Sequence, residues 1–259
     1  MTDHNPPPRK PKKERADQLL VERGLVPTRS RAQALILAGE VFLADRRVEK
    51  AGQKIPVDAE LRVREQQKYV SRGGQKLEGA LKDLEFSPSS LVVADIGAST
   101  GGFTDCVLQH GARKVFAIDV GHGQLAEKLR QDPRVIVREK TNARHLEAAQ
   151  LESGVELVVV DASFISLEKL LPAIQRITQE DGYLLALIKP QFEVGRDEAT
   201  RHGGVIRDQK VRSTAIQKIL LSIGEHGFDV IADTPCRVPG PKGNVEHFCL
   251  AKRKKKETP

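Results

Sequence analysis

The chain has 259 residues, 39% of them hydrophobic, which is enough for one large or two modest packed domains. A net charge of +7 and a pI near 9.3 favour anionic partners such as nucleic acid or a membrane surface, and say little about the fold. The sequence has no apolar stretch of about 20 residues and no apolar segment after its basic start. We therefore expect neither stable membrane insertion nor secretion.

The three cysteines, Cys106, Cys236 and Cys249, are widely spaced and form no CxxC or Cys/His cluster. This spacing predicts neither a disulfide framework nor a metal site, and it favours a reducing, cytoplasmic compartment. Both ends of the chain, residues 1–14 and 253–259, are rich in lysine. We expect residues 1–14 to be disordered and both ends to be solvated basic tails, with weak attraction to phosphate as the alternative.

Residues 15–64 have the pattern of a small α+β module. RADQLLVERG is a predicted helix that ends at Gly24, and RAQALILAG is a second one, capped by Ser30 and ending at Gly39. Two short β-type runs, VFLA and ELRVRE, follow them. Several arginines fall at the edges of these elements.

The segment RADQLLVERGLVPTRSRAQALILAGEVFLADRRVEKAGQKI resembles the RNA-binding domain named after the fourth small-subunit ribosomal protein, the S4 domain. The resemblance implies a surface of basic residues that contacts structured RNA. Ala44 and Asp45 stand where the family usually has an Asn-Gly turn. The alternative is a helical cap whose arginines are merely solvated. The candidate RNA-binding residues are Arg15, Arg29, Arg31, Arg46 and Arg47.

Residues 65–75 are interpreted as a linker, and residues 76–252 as a second domain in which apolar strand patterns alternate with helical ones. Such alternation predicts an α/β fold with a mostly parallel, Rossmann-like sheet covered on both faces. Sheets of this kind bind ligands at the carboxyl ends of their strands. The predicted strands are LVVADI, KVFAID, RVIVRE, ELVVVD, YLLALIK, DVIAD and EHFCLAK.

The stretch ADIGASTGGFTD places a glycine loop between the first of these strands and a helix. It fits neither the GxGxxG dinucleotide fingerprint nor a phosphate loop followed by Lys-Ser/Thr. The remaining interpretation is an S-adenosylmethionine site, with the ligand's amino-acid part over the loop. Asp95 could bind the ligand's ammonium or position the loop.

The next strand ends at Asp119, which is placed to accept hydrogen bonds from two ribose hydroxyls. Asn142, after the third strand, could reach the adenine. A strand-ending turn acid is the alternative for Asp119. The remaining candidate cofactor-binding residues are Gly97, Ala98, Ser99, Gly101, Gly102, Phe103, Val120 and Asp161.

Unusual polar residues mark further strand ends, namely Asp161, Lys189 and Glu246, with Lys76 upstream. Lysine is almost never fully buried without a partner, so Lys189 at the end of an apolar strand is expected to pair with Asp161. An uncharged lysine could take the proton of an alcohol during methyl transfer. A plain ion pair that joins two strand ends is the alternative.

Six ordered motifs, YVSRGGQKLEGAL, DIGASTGGFTD, AIDVGHGQL, DASFISL, LIKPQFEVG and GPKGNVEHF, resemble the TlyA family throughout. The resemblance implies an S4 domain joined to an FtsJ-like methyltransferase domain, and 2′-O-methylation of cytidine in ribosomal RNA or ribosomal subunits. It also implies a catalytic tetrad of Lys76, Asp161, Lys189 and Glu246, with Lys189 as the base. The alternatives are a non-catalytic RNA-binding or assembly factor, and a membrane-acting haemolysin.

Phe164 and Phe192 follow Asp161 and Lys189, and either could stack on a flipped nucleotide or simply pack locally. RHGGVIRD has the composition of a loop that could close over RNA. The oligomeric state is left open by the sequence.

Overall fold

The computed structural model describes residues 12–64, 68–240 and 242–255, and these fall into two compact units, one within residues 1–66 and one within 67–259. The predicted tails at residues 1–11 and 256–259 lie outside the described residues, as do residues 65–67 of the predicted linker. Each unit has its own apolar core.

The first unit packs two helices against short strands. Strand β1 (Lys13–Arg15) pairs antiparallel with β4 (Lys54–Pro56). The prediction of a disordered tail is therefore wrong for Lys13 and Glu14. The other strands form a three-stranded antiparallel sheet in the order β3-β2-β5. The elements are β1 (Lys13–Arg15), α1 (Ala16–Glu22), α2 (Arg29–Leu37), β2 (Val41–Leu43), β3 (Arg46–Arg47), β4 (Lys54–Pro56) and β5 (Leu61–Val63).

Two local details of this unit differ from the sequence pattern. The hydroxyl that caps α2 belongs to Thr28, which accepts a hydrogen bond from the Arg31 N–H at 3.2 Å, so the prediction of Ser30 as the cap is wrong. Ser30 lies inside the first turn of α2. In the β2–β3 turn, Ala44 adopts a φ of 48°, the left-handed conformation that an Asn-Gly turn ordinarily supplies.

The second unit contains a seven-stranded sheet among its described residues, in the order β11-β12-β10-β9-β6-β7-β8. Strands β8, β7, β6, β9 and β10 are parallel, and β12 runs antiparallel to both β10 and β11. The α/β, Rossmann-like fold prediction is therefore confirmed. The strands are β6 (Val92–Ile96), β7 (Lys114–Ile118), β8 (Val135–Arg138), β9 (Val155–Val160), β10 (Thr178–Ile188), β11 (Phe228–Pro235) and β12 (His247–Arg253).

Helices cover both faces of this sheet because successive strand residues point to opposite sides. Val93 and Val159 pack with Leu77 and Val107 on one side, whereas Ala94 and Val158 join the apolar cluster on the other side. The helices are α3 (Arg72–Asp83), α4 (Gly102–Gln109), α5 (Glu127–Arg130), α6 (Leu171–Ile177), α7 (Pro190–Glu193), α8 (Arg196–Arg201) and α9 (Gln209–Glu225).

Two predicted boundaries shift in this unit. Helix α3 begins at Arg72 rather than after residue 75, because the SRGG segment packs as helix against the glycine loop. Arg253, assigned to the basic tail, is the last residue of β12 and pairs with Phe228 of β11.

The junction between β6 and α4 depends on Asp95 and on glycine. Gly101 is the N-cap of α4 with a φ of 94° and has no side chain to cap the helix. Asp95 supplies the cap from the strand, since its Oδ2 accepts bonds from the Thr104 N–H at 2.9 Å and the Thr104 hydroxyl at 2.6 Å. A Cβ on Gly102 would lie 2.2 Å from the Ser71 Oγ and 2.9 Å from the Gly74 nitrogen. This loop is therefore glycine-rich partly because α3 packs directly on it.

Asp95 should make stability depend on pH. Complete burial, and then the charges of Asp161 and Asp119, raise its pKa to about 7. Because this exceeds the unfolded value of about 3.9, the unfolded chain loses the proton first, and Asp95 lowers stability increasingly from about pH 4 to pH 7. In urea unfolding, the free energy of unfolding of Asp95→Asn, relative to that of wild type, should rise by about 2 kcal/mol between pH 5 and pH 8. Asp132→Asn, at an ion-paired surface carboxylate, is the control; an unchanged pH profile for Asp95→Asn would contradict this assignment.

Candidate active site at the carboxyl edge of the sheet

Three adjoining cavities lie where β6, β7, β9 and β10 end, and Asp161 and Ser163 line all three. The loop cavity, about 270 Å³, also touches Gly97 and Ala98. The Asp119 cavity, about 400 Å³, also touches Asn142. The lysine cavity, about 720 Å³, is lined by all four tetrad residues and by Phe164 and Phe192.

Two backbone N–H groups fix the side chain of Asp119, which lines the Asp119 cavity. Its Oδ2 accepts the Ser99 N–H at 2.9 Å, and its Oδ1 accepts the Gly121 N–H at 2.7 Å. Ser99 holds a left-handed φ of 48°, which this bond helps to fix. A carboxylate can accept about four hydrogen bonds, so Asp119 keeps capacity for a hydroxyl-bearing ligand in the cavity.

Asn142 and Val120 also line the Asp119 cavity. The Asn142 Oδ1 accepts two hydrogen bonds within the protein, one from the Arg144 backbone N–H at 3.2 Å and one from the Arg144 Nε at 3.3 Å. A contact of Asn142 with a ligand would therefore come from its amide nitrogen. Val120 is 71% exposed and presents an apolar surface at the cavity rim.

Not every residue predicted around the glycine loop reaches a cavity. Gly97, Ala98, Ser99 and Gly102 line the loop cavity, whereas Asp95 and Gly101 line none of the three. Asp95 is fully buried under the loop, so the structure shows its positioning role and not a contact with ligand. A Cβ on Gly101 would lie 2.3 Å from Leu129, so this glycine serves packing.

Phe103 is 2% exposed and lies with its ring centroid 6.0 Å from that of Phe248. Its ring packs α4 onto the sheet and forms part of the floor of the loop cavity. Gly97, with a φ of 85°, lies so close to β9 that a Cβ would be 2.8 Å from the Asp161 carbonyl oxygen. The bare backbone at Gly97 thus lets the loop pack against the end of β9.

Lys189 and Asp161 form the predicted pair. The Lys189 Nζ lies 2.6 Å from the Asp161 Oδ1 and donates a hydrogen bond to the Ser163 Oγ at 2.8 Å. The Asp161 Oδ1 lacks a hydrogen bond of good geometry, so charge rather than a directed bond holds the pair. Lys189 is only 6% exposed, and its exposed edge faces the cavities.

Lys76 and Glu246 form a second buried pair beside it. The Lys76 Nζ donates to the Glu246 Oε2 at 2.5 Å, joining α3 to the segment before β12 across 170 positions of sequence. Gln191 contacts the other oxygen of Glu246 at 3.4 Å. The structure therefore brings all four predicted tetrad residues around one cavity.

Sequence reasoning assigned no role to Ser163 or Asn244. Asn244 is buried; its amide donates to the Gly204 carbonyl at 2.9 Å and its Oδ1 accepts the Ile206 N–H at 3.0 Å. These bonds tie the RHGGVIRD segment to the segment before β12 that carries Glu246. Ser163 lies in the DASF motif and Asn244 in the GNVE motif, beside the charged residues Asp161 and Glu246.

Phe164 and Phe192 pack together at the mouth of the lysine cavity. Their ring centroids lie 5.3 Å apart, and Phe164 is 92% exposed with a left-handed φ of 64°. A non-glycine residue held in this conformation with an exposed aromatic ring is unfavourable for folding alone. The rings therefore combine local packing with a surface open to a ligand.

In the first unit, two of the predicted RNA-binding arginines, Arg15 and Arg29, form ion pairs with Asp17. Arg15 binds both of its oxygens at 3.0 Å, and the Arg29 Nε lies 2.9 Å from Oδ2. The side chain of Asp17 is fully buried, and Arg15, foremost among these donors, holds its pKa well below the usual range. Arg31 lies exposed in the first turn of α2, and Arg46 and Arg47 lie exposed on β3.

Within residues 12–64, 68–240 and 242–255, no helix is long and apolar enough to cross a bilayer. In the same residues, no group of three or more His, Cys, Asp or Glu side chains is placed to hold a metal ion.

Comparison with known proteins identifies both units. Residues 69–254 match the FtsJ-like methyltransferase family, and residues 14–61 match the S4 domain. The chain is 41% identical over 236 residues to the 16S/23S rRNA (cytidine-2'-O)-methyltransferase TlyA of Mycobacterium tuberculosis, covering 90% of this chain and 88% of that protein. It is 44% identical to the provisionally named rRNA methyltransferase YqxC of Bacillus subtilis, covering 91% and 84%.

A solved structure from Streptococcus thermophilus, described as a candidate hemolysin, superposes with a TM-score of 0.71 at 39% identity and covers 94% of this chain and 89% of that one. The chain therefore belongs to the TlyA family of FtsJ-like methyltransferases and carries an S4 domain ahead of its methyltransferase unit.

Proposed function

We propose that this protein transfers a methyl group from S-adenosylmethionine to the 2′-hydroxyl of a cytidine in ribosomal RNA, with Lys189 as general base. The observation that carries the proposal is the buried pair of Lys189 and Asp161, which faces the loop cavity on one side and the lysine cavity on the other. The TlyA relative is named for this reaction. Ribosomal RNA or ribosomal subunits as substrate would place the protein in the cytoplasm.

The residues that line two of the three cavities, the Asp119 cavity and the loop cavity, fit the chemical groups of the cofactor. S-adenosylmethionine supplies a methyl group on a positively charged sulfonium when bound. Asp119, with spare acceptor capacity in a cavity of about 400 Å³, would hold the ribose hydroxyls. The backbone at Gly97, Ala98 and Ser99 would hold the amino-acid part in the adjoining loop cavity. Asn142 and Val120 would contact the adenine.

Lys189 would accept the proton of the substrate hydroxyl at Nζ, which requires an uncharged amine before transfer. Asp161 and Ser163 would aim the Lys189 Nζ and then stabilise the ammonium that forms. Lys76 and Glu246 would position the target ribose in the lysine cavity.

The alternatives lack a comparable observation. A non-catalytic RNA-binding factor has no use for two buried lysine–carboxylate pairs, since such pairs cost desolvation energy and often add no stability. A membrane-acting haemolysin would release dye from liposomes, and absence of leakage with purified protein would remove that alternative. Absence of S-adenosylmethionine binding would favour the non-catalytic factor.

The general-base role predicts the behaviour of Lys189→Ala. Methyl transfer from labelled S-adenosylmethionine to purified ribosomal subunits should fall by about 10²-fold or more, because a positioned base contributes about 10²–10⁴ in rate. Cofactor affinity, measured by calorimetry, should change far less than the rate, because Lys189 lines the loop cavity but not the Asp119 cavity, where the ribose and adenine would bind.

Lys114→Ala is the matched control, because Lys114 also pairs with a carboxylate, at 2.8 Å, but begins β7 at the opposite edge of the sheet. This variant should keep full activity. Wild-type rates in Lys189→Ala would exclude the lysine as base and leave the methyltransferase assignment intact.

The ribose-binding role predicts a different effect for Asp119→Ala. Loss of charge-assisted hydrogen bonds, each about 1.5–3 kcal/mol, should weaken S-adenosylmethionine binding by about tenfold or more. The control is Asp132→Ala, since Asp132 likewise accepts a backbone N–H, from Arg134 at 2.9 Å, in the turn before β8. Equal cofactor affinities in the two variants would show that Asp119 only shapes its turn.

A further inference from the structure

We propose that the outer face of the β3-β2-β5 sheet binds an unpaired nucleotide of RNA, whose base stacks on Phe42 and on the arginines around it. The inference rests on the proposed function for the nature of the partner. It adds a binding site and the form of RNA that this site selects.

The strand register gathers the residues of this face. Phe42 of β2 lies directly opposite Arg47 of β3 and Arg62 of β5. Directly paired residues project to the same side of a sheet, and Arg64, two positions after Arg62, joins them. The other side of the sheet packs into the core through Val41, Leu43, Leu61 and Val63.

Two of these arginines stack on the aromatic ring. The guanidinium carbons of Arg62 and Arg64 lie 5.6 Å and 5.3 Å from the centroid of Phe42. Phe42 is only half-buried, although a phenylalanine is among the most readily buried residues. Aromatic rings and guanidinium planes are the surfaces on which proteins stack unpaired bases.

Most of the positive charge on this face has no carboxylate partner among the described residues. Within residues 12–64, the side chains of Arg47 and Arg62 form neither an ion pair nor a hydrogen bond. Arg64 has one carboxylate partner, Glu40, at 3.7 Å. By contrast, Arg15 and Arg29 are bound to the buried Asp17. The charges of Arg47 and Arg62 therefore lie open on this face.

Clustered guanidinium groups repel one another, so an anionic ligand is the complement of this surface. Phosphates supply the negative charge, and an aromatic ring at the centre adds a preference for a flat base. An anionic membrane offers the charge without the base, which makes RNA the better complement. Duplex RNA hides its bases, so the face should select unpaired RNA.

The test measures binding of the full chain to two fluorescein-labelled RNAs with equal numbers of phosphates, an unstructured strand and a blunt hairpin. Phe42→Leu keeps an apolar strand residue and removes the ring. It should weaken binding to the unstructured strand by about fivefold or more, as expected for one lost base stack. Binding to the hairpin should change by less than about twofold, since the charges remain.

Arg62→Gln tests the face without altering Phe42, and it remains informative if Phe42→Leu does not fold. It should lower the slope of log affinity against log salt by about one for the unstructured strand. The control is Lys54→Gln, which removes one exposed charge from β4, outside this sheet. Its effect should be smaller than that of Arg62→Gln.

Unchanged discrimination between the two RNAs in folded Phe42→Leu would overturn the inference, as would equal effects of Arg62→Gln and Lys54→Gln. Binding to phosphatidylglycerol vesicles that Phe42→Leu loses, with RNA binding intact, would assign the face to membranes instead. Methyl transfer to ribosomal subunits distinguishes a failure of this inference from a failure of the proposed function. If wild type methylates RNA and these variants bind as it does, the stacking site is wrong and the enzyme stands.

Discussion

Two buried lysine–carboxylate pairs are the constraint on which the catalytic unit depends. Lys76 with Glu246, and Lys189 with Asp161, join α3, β9, β10 and the start of β12 around one cavity. Pairs of this kind gain Coulomb energy but lose hydration, and apolar replacements are often as stable. Under the proposed mechanism, the pair of Lys189 and Asp161 holds an amine at the end of an apolar strand beside a cavity, where proton transfer requires it.

The glycine loop serves the fold and the site together. Gly101 and Gly102 are small because Leu129 and the start of α3 occupy the space that side chains would fill. Asp95 supplies the helix cap that Gly101 lacks, and its burial raises its pKa to about 7. The backbone that remains open, at Gly97 to Ser99, faces the cavities and is fixed by Asp119.

Arginine has two separate uses in the S4 unit. Arg15 and Arg29 neutralise an aspartate that would otherwise be buried without a partner, so they contribute to the stability of the unit. Arg46, Arg47 and Arg62 have no such partner among the described residues and carry charge outward. The sequence alone does not distinguish the two groups of arginines. Of these two groups, the one with Arg46, Arg47 and Arg62 leaves its charge open for phosphate.

The amino-acid sequence by itself determined the alternation of strands and helices, the glycine loop, the acid that ends β7 and the six family motifs, because these features are local. The pair of Lys189 and Asp161 was also predictable, since adjacent parallel strands bring their carboxyl ends together. Only the tertiary structure decided that Lys76 meets Glu246, that Asp95 is a cap rather than a cavity residue, that Arg15 and Arg29 bind Asp17, and that Phe42 lies among arginines. Each of these depends on contacts between distant segments or on strand register, which periodicity does not specify.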